Sequence, residues 1–389
     1  MNNSNPKLNV ACYYFPNYHT GDPRNDDVHG KGWSEWRLVE AATPRFPGHQ
    51  QPNLPLHGFT DEKQPEVMAQ KIEDAVSHGI KTFLFDWYYY DDGPFLNRAL
   101  DEGFLNAPNL NKMKFATMWA NHTWTDIHPC GRFSPRPTLF EGAVKPETFE
   151  TVAKIHCEKY FPNSSYLKFN GCPYFSIYDL NQLLQSFGSI KATRNALDSF
   201  RTACKSAGFP DLHLNAIVWG FPILPGENVP YNLKDLIAEL GFNSITSYVW
   251  VHHVPLTENL TAYQDVLMKY MDFWQDVRKE YQIEYYPNIS AGWDSSPRTI
   301  QTEVWDWDSR LWYPFGNMIS QNTPEALRNA CEVIFKELKT LSLSQNFVTL
   351  NSWNEWTEGS YLEPDQSSGY ARLQAVRDAI KNQGFQMID

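Results

Sequence analysis

Two glutamates three positions apart, Glu355 and Glu358, stand among tryptophans in segment 347–365, FVTLNSWNEWTEGSYLEPD. A pair of carboxyl groups can handle a proton and a developing positive charge on either side of a glycosidic bond. An indole offers a flat apolar surface to the C–H face of a sugar. Trp353 and Asn354 precede the pair, Trp356 lies within it, and Glu363 and Asp365 follow. The run Phe347, Val348, Thr349, Leu350 ahead of them reads as a buried strand, so the acidic turn is expected where that strand ends. The plainer alternative is a solvated acidic turn beside core tryptophans. Chain spacing does not choose a stereochemical course, because residues three apart in a turn can sit about 5 Å apart, as retention requires, or about 6.5–9.5 Å apart, as inversion requires.

Other polar and aromatic residues follow other apolar runs. Trp87 and Tyr88 end one, with Asp86 before them; Asn121, His122, Trp124 and Asp126 follow a second. Trp250, His252 and His253 follow a third, and Trp293, Asp294 and Arg298 a fourth. Trp87, Tyr88, Trp124, Trp250 and Trp293 are candidates for stacking on sugar rings, each in competition with ordinary packing. Asn121, His122, His252, Asn354 and Trp356 are further candidates for substrate contact. His252 and His253 would suit a hydroxyl, or a metal if a third ligand converged; no metal-ligand spacing accompanies them, so a hydrogen-bonding or structural role is expected. Asp86, Asp126 and Asp294 suit sugar hydroxyls, and Arg298 suits an acidic sugar or an aspartate.

The elements that must position these residues repeat in one cadence. Strands are expected at 8–15, 82–87, 114–119, 173–178, 212–219, 244–248, 285–290 and from 347, the sixth being faint. Helices are expected at 66–78, near 95–105, and at 147–160, 190–207, 233–240, 261–280, 324–341 and 370–381. Between the first strand and the first helix, 17–60 is too long for an ordinary connection and is expected to wrap one face as a functional loop. Eight strand-then-helix units without a linker predict an α/β fold, a (β/α)8 TIM barrel forming a single domain over 1–389. In such a barrel, chemistry belongs where strands end, on the C-terminal face.

Composition narrows the function. The chain has 389 residues, 42% of them hydrophobic, which is ample for a large core and excludes global disorder. Aromatic residues make up 15%, with 14 Trp and 20 Tyr, an excess that favours a carbohydrate cleft although many must fill the core. A formal net charge of −12 and the lack of any basic block oppose nucleic acid and anionic membranes as partners. Six widely spaced cysteines match no zinc or redox motif and read as buried thiols. No long apolar window predicts membrane insertion. The N-terminus MNNSNPKLN lacks an apolar signal core, so the expectation is cytoplasmic, or periplasmic or secreted if a leader preceded it. Oligomeric state is not legible.

Asn354, Glu355, Trp356, Glu358 and Gly359, with Leu362, Glu363 and Pro364, resemble the C-terminal signature of the WbsX-type glycosyltransferase family, which is similar to glycoside hydrolase family 99. A second block, Gly32, Trp33, Ser34, Glu35, Trp36, then Phe46, Pro47, Gly48, His49, Gln50, Gln51 and Pro52, supports the resemblance and is assigned to loop architecture before catalysis. The two blocks bracket almost the whole chain. The resemblance implies a carbohydrate substrate, no cofactor, and retention of configuration. By motif, Glu355 would assist the sugar 2-hydroxyl as it attacks its own anomeric carbon, and Glu358 would act as general acid and then base. Glu358 must then be protonated near neutral pH, which burial and the charge of Glu355 would favour. His122 stands where relatives more often carry Glu, a departure that affects substrate contacts at that point. The resulting expectation is a retaining glycoside hydrolase acting on a polysaccharide or oligosaccharide. A glycosyltransferase of surface-polysaccharide assembly and a noncatalytic glycan-binding protein are the alternatives.

Overall fold

The computed structural model describes residues 6–307 and 313–387. Its centre is a ring of parallel strands: β1 (Lys7–Tyr14), β2 (Ile80–Tyr90), β3 (Lys114–Trp119), β4 (Cys172–Ile177), β5 (His213–Ile217), β6 (Ser244–Thr246), β7 (284–290) and β8 (Phe347–Asn351). Each pairs with its neighbours in sequence, and β1 pairs with β8, from Asn9 opposite Phe347 to Cys12 opposite Leu350. This is the (β/α)8 barrel that the strand and helix cadence predicts.

The seventh strand is not the continuous one expected. Glu284–Tyr286 pairs with β6, whereas Asn288–Ser290 pairs with β8, and Pro287 lies between. Proline has no N–H to give to a ladder, so it splits the strand and leaves each half to serve one neighbour. The ring closes across that residue. β6 keeps only three residues, in line with its faint signal.

Most helices fall where periodicity puts them, including Pro65–Ser77, Leu233–Leu240, Tyr263–Glu280, Pro324–Leu338 and Ala371–Asn382. The helix expected near 95–105 is instead a π turn at Ala99–Gly103 followed by a 3-10 turn at Phe104–Asn106. Close packing explains the departure: a Cβ on Gly103 would come within 2.0 Å of the Glu62 carbonyl oxygen, so this segment lies tight against the loop before the first barrel helix. An additional helix, Leu180–Phe187, begins where the Asp179 side chain accepts from the Asn181 and Gln182 amides and ends at left-handed Gly188. Stretch 17–60 does wrap one face, carrying two short helices, Pro23–His29 and Trp36–Ala41.

The barrel interior is partly polar, and several of its polar groups pair across strands. Ser176 donates to Asn215, Asn215 donates to Ser244, and Asn288 donates to Thr349, at 2.9, 2.9 and 3.1 Å. Satisfied buried groups of this kind fix strand register without the penalty of an orphaned donor. All six cysteines are free thiols. Among the described residues no helix is long and apolar enough to cross a membrane.

Candidate active site

The candidate carboxyls sit on a hairpin beyond β8. Asn354–Glu355 pairs antiparallel with Ser360–Tyr361, and the turn between them is a single 3-10 turn, Trp356–Glu358, closed by Gly359 at φ 64°. A side chain at Gly359 would also strike Asp294, whose Cβ lies 2.8 Å from where a Cβ would stand. Only glycine meets both conditions comfortably.

The hairpin is anchored from beneath. Asn354 donates to the Phe15 carbonyl at 2.7 Å and accepts from the Phe15 amide at 2.8 Å, so it bridges to the end of β1 as another strand residue would. It also donates to Glu62 at 3.0 Å. The Trp356 indole donates to Glu363 at 2.9 Å and stacks on Tyr361. Lys71, on the first barrel helix, reaches Glu62 and Glu363, each at 2.6 Å, in a buried ionic triad.

Above the hairpin, the strand ends line a hollow that opens to solvent. Tyr88, His122, Trp124, His128, Tyr178 and Trp293 form much of its wall, and Asp86, Tyr248, Arg298, Glu355 and Glu358 also line it. An aromatic-rich hollow with a few converging polar groups suits the face of a sugar.

One guanidinium organises the acids. Arg298 NH1 donates to Glu358 Oε1 at 2.7 Å, NH2 donates to Glu355 Oε2 at 3.2 Å, and Nε donates to Glu35 Oε1 at 2.9 Å. It also bonds the Tyr313 hydroxyl, which donates to Glu358 at 2.7 Å. Two carboxyls on one guanidinium are held within reach of a single linkage. Glu35 takes further donors, Asn17 at 2.8 Å and the Thr357 hydroxyl. Burial pushes the Glu35 carboxyl up, but Arg298 and these neighbours outweigh it and hold Glu35 below the usual range, so the Arg298 charge is already matched.

The working carboxyls titrate in the opposite direction. Burial, then the neighbouring Glu358, pushes Glu355 well up; burial also raises Glu358, against relief from Arg298 and the Tyr313 hydrogen bond. Asp86 is driven well up by burial, against a hydrogen bond from Tyr248. The wall histidines add no charge: burial lowers His122 and pushes His128 down to about 3. Among the described lining residues Arg298 is the one guanidinium or ammonium. Among the described residues no group of three or more His, Cys, Asp or Glu could hold a metal ion.

The model of the family described as Glycosyltransferase WbsX matches residues 10–376. The chain belongs to that family. It is 27% identical over 381 residues to the uncharacterized protein WxcX of two strains of Xanthomonas campestris pv. campestris. That match covers 95% of this chain and 49% of WxcX, so the chain spans about half the length of the curated relatives it matches. In structure it is similar to a GH99 endo-alpha-mannosidase from Bacteroides thetaiotaomicron, with TM-score 0.56, 12% identity, and 97% and 98% of the two chains covered. It is likewise similar to a glycoside hydrolase-like protein, with TM-score 0.60, 14% identity, and 98% and 95% covered. At such identities the likeness is one of fold, and it matches the GH99 resemblance of the motifs.

Of the residues singled out in this WbsX-family sequence, Tyr88, His122, Trp124, His252, Trp293, Glu355 and Glu358 line the hollow, together with Asp86 and Arg298. Five others do not, and the expectation of substrate contact is corrected for each. Trp87 alternates with Asp86 and Tyr88 along β2, so it faces the helices, where its indole donates to Tyr160 at 3.2 Å. Asn121 bridges to the backbone of Asp179 in both directions at 2.8 Å. Trp250 is buried, donating to the Asn288 carbonyl at 2.9 Å and stacking on Tyr270. Asn354 and Trp356 are spent beneath the hairpin, as described above. Of the weaker candidates, Asp294 is occupied by His49 at 2.9 Å and Gln51 at 2.8 Å, and His253 bonds Ser247 and stacks on Phe273.

Several roles in the site escaped the sequence reading. Glu35, named in the second motif block but assigned to loop architecture, is buried at the centre of the acid cluster. Tyr248 lies just past the shortest barrel strand, and none of the strands expected from the sequence ends near Tyr313. Glu227, in a Gly/Pro-rich stretch, accepts from Tyr178 at 2.6 Å and from the Ile223 and Leu224 amides at 2.7 and 2.9 Å, fixing one wall behind His252. Nothing in its local sequence announces that role.

Proposed function

We propose that this WbsX-family barrel is a retaining glycoside hydrolase acting on a polysaccharide or oligosaccharide, with Glu355 and Glu358 as its working pair. The observation that carries the reading is the pair of buried carboxyls held on one guanidinium inside an aromatic-walled hollow. In the course implied by the family 99 resemblance, Glu358 gives its proton to the leaving oxygen as the bond to the anomeric carbon breaks. Glu355 takes the 2-hydroxyl proton as that oxygen closes on the same carbon. Glu358, now a carboxylate, then takes a proton from the water that attacks the anomeric carbon of the bridged intermediate, and Glu355 returns its proton to the 2-oxygen as that oxygen leaves the same carbon. Two inversions give net retention, and Glu358 regains its proton.

The donor pattern sets a condition on these roles. Glu358 Oε1 receives both Arg298 and Tyr313, which favours its carboxylate, whereas Glu355 has the longer Arg298 contact. For Glu358 to serve as the acid, a sugar in the hollow must offset that preference.

Nucleotide-sugar transfer is the second reading, and the family name favours it. A diphosphate entering this hollow would meet Asp86, Glu355 and Glu358, and the single lining guanidinium is already engaged by acids. The charge balance favours a neutral glycan. Release of reducing ends from a panel of polysaccharides, lost by about 10²-fold or more in Glu358→Gln, is the expected result. Turnover with nucleotide sugars alone would replace this reading with the transferase. Glycan binding that survives both Glu355→Gln and Glu358→Gln, without wild-type turnover, would replace it with a binding protein.

A further inference from the structure

Asp86 has no part in the chemistry above, yet it is buried at the end of β2 within the same hollow. The hydroxyl of Tyr248, just past β6, lies 2.9 Å from Asp86 Oδ2 and 3.0 Å from Glu355 Oε1. A hydroxyl has one proton and donates to one of two such oxygens. The other must donate to it in turn, or two oxygens that both lack a proton would face each other at bonding distance in a dry site. We propose that Asp86 is a third functional carboxyl, a positioning residue that shares one proton with Glu355 through Tyr248. The role given to Glu355 rests on the hydrolase reading; the shared proton rests on geometry alone.

Two arrangements satisfy the contacts. In one, Asp86 is a neutral acid donating to Tyr248, and Tyr248 donates to the Glu355 carboxylate. In the other, Glu355 is neutral and the direction is reversed. They interconvert when the proton on Asp86 Oδ2 passes to the Tyr248 oxygen while the tyrosine's own proton passes to Glu355 Oε1. Two O–H bonds break, two form, and the total charge is unchanged. Nothing from outside is required.

The surroundings favour one proton in this pair. The titratable or charged groups around Asp86 are Tyr13, Tyr88, Tyr248, Glu355 and Glu358, with Arg298 as the cation of the hollow. Arg298 is matched by Glu35, so ionising Asp86, Glu355 and Glu358 together would leave three carboxylates with no free counter-charge. Beside Asp86 a small void is lined by Pro16, Phe95, Leu96 and Leu100 and by Asn97, whose amide donates to Asp101 at 2.8 Å rather than to Asp86. Burial keeps the Tyr248 phenol protonated and so able to bridge. By holding the proton, Asp86 leaves Glu355 as the base that the sugar 2-hydroxyl needs.

Infrared difference spectra of the ligand-free full chain at neutral pH read the proton without any substrate. Asp86→Asn and Glu355→Gln are each expected to remove the same neutral-carboxyl band, because either amide can donate towards Tyr248 and leave the remaining acid ionised. A band that disappears in only one of the two variants, or in neither, overturns the shared proton. With a turned-over glycan, Asp86→Asn is expected to move the acid limb of kcat/KM down by about one pH unit, and Tyr248→Phe to abolish that shift. An unchanged limb, or the same shift in the Tyr248→Phe background, overturns the link to Glu355. If the wild type turns over nothing, the hydrolase reading fails while the infrared outcome still decides the shared proton.

Discussion

At the scale of single residues, the site holds more acid than its one cation can match, and that excess has a sign in stability. Glu355 is raised by burial and by Glu358, so the folded chain keeps its proton to higher pH than the unfolded chain does. A carboxyl raised in this way weakens the fold as pH climbs from its unfolded value towards its folded value, because the unfolded state gives up the proton first. Glu35 has the opposite sign: lowered in the folded state, it contributes stability that is present above its unfolded pKa and lost as pH falls towards its folded one. Glu355→Gln is therefore expected to be more stable than wild type near neutral pH, with the gap closing below about pH 4. Unfolding midpoints in denaturant across that range check it. A variant less stable than wild type at neutral pH would show that hydrogen bonds to Glu355 outweigh its electrostatic strain.

At the scale of elements, the hairpin that carries both glutamates depends on a helix distant in sequence. Lys71 ties Pro65–Ser77 to the hairpin through Glu62 and Glu363, and all three side chains are buried. Lys71→Met leaves two carboxyls without a cation and is expected to cost about 3–5 kcal/mol in denaturant unfolding. Adding Glu62→Gln and Glu363→Gln is expected to recover most of that loss, since an uncharged cluster leaves no ion stranded. The same elements show what the sequence could reveal. Alternation along β2 already separates Trp87 from Asp86 and Tyr88, and applying it residue by residue would have turned Trp87 away from the hollow. Barrel order and the acid pair were legible because apolar runs and their polar ends lie together in the chain. The roles of Glu35, Tyr313 and Glu227 were not, because loops bring them in and their partners lie far away in sequence, 263 positions for Glu35 and Arg298. Asn354 and Trp356 misled for a related reason: their residue types suit sugars, but their hydrogen bonds go to Phe15 and Glu363.

At the scale of the whole molecule, a chain of net charge −12 carries a hollow lined by three acids, Asp86, Glu355 and Glu358, and by one cation, Arg298, itself also paired with Glu35. A polyanionic glycan would approach against that field, whereas a neutral one would not sense it. Raising salt from about 0.02 to 0.2 M is expected to increase kcat/KM on an anionic polysaccharide several-fold and to leave a neutral one unchanged, because screening acts on the encounter. Steady-state rates on matched neutral and carboxylated polymers at both ionic strengths check it.

The split in β7 reaches this site too. Tyr248 follows the strand that pairs with 284–286, and the two glutamates follow the strand that pairs with 288–290, so these walls meet across Pro287, which has no amide proton to share between them. The 3.0 Å step from Tyr248 to Glu355 therefore crosses a joint where β6 and β8 are linked through the two halves of β7, and Arg298 follows the half that pairs with β8.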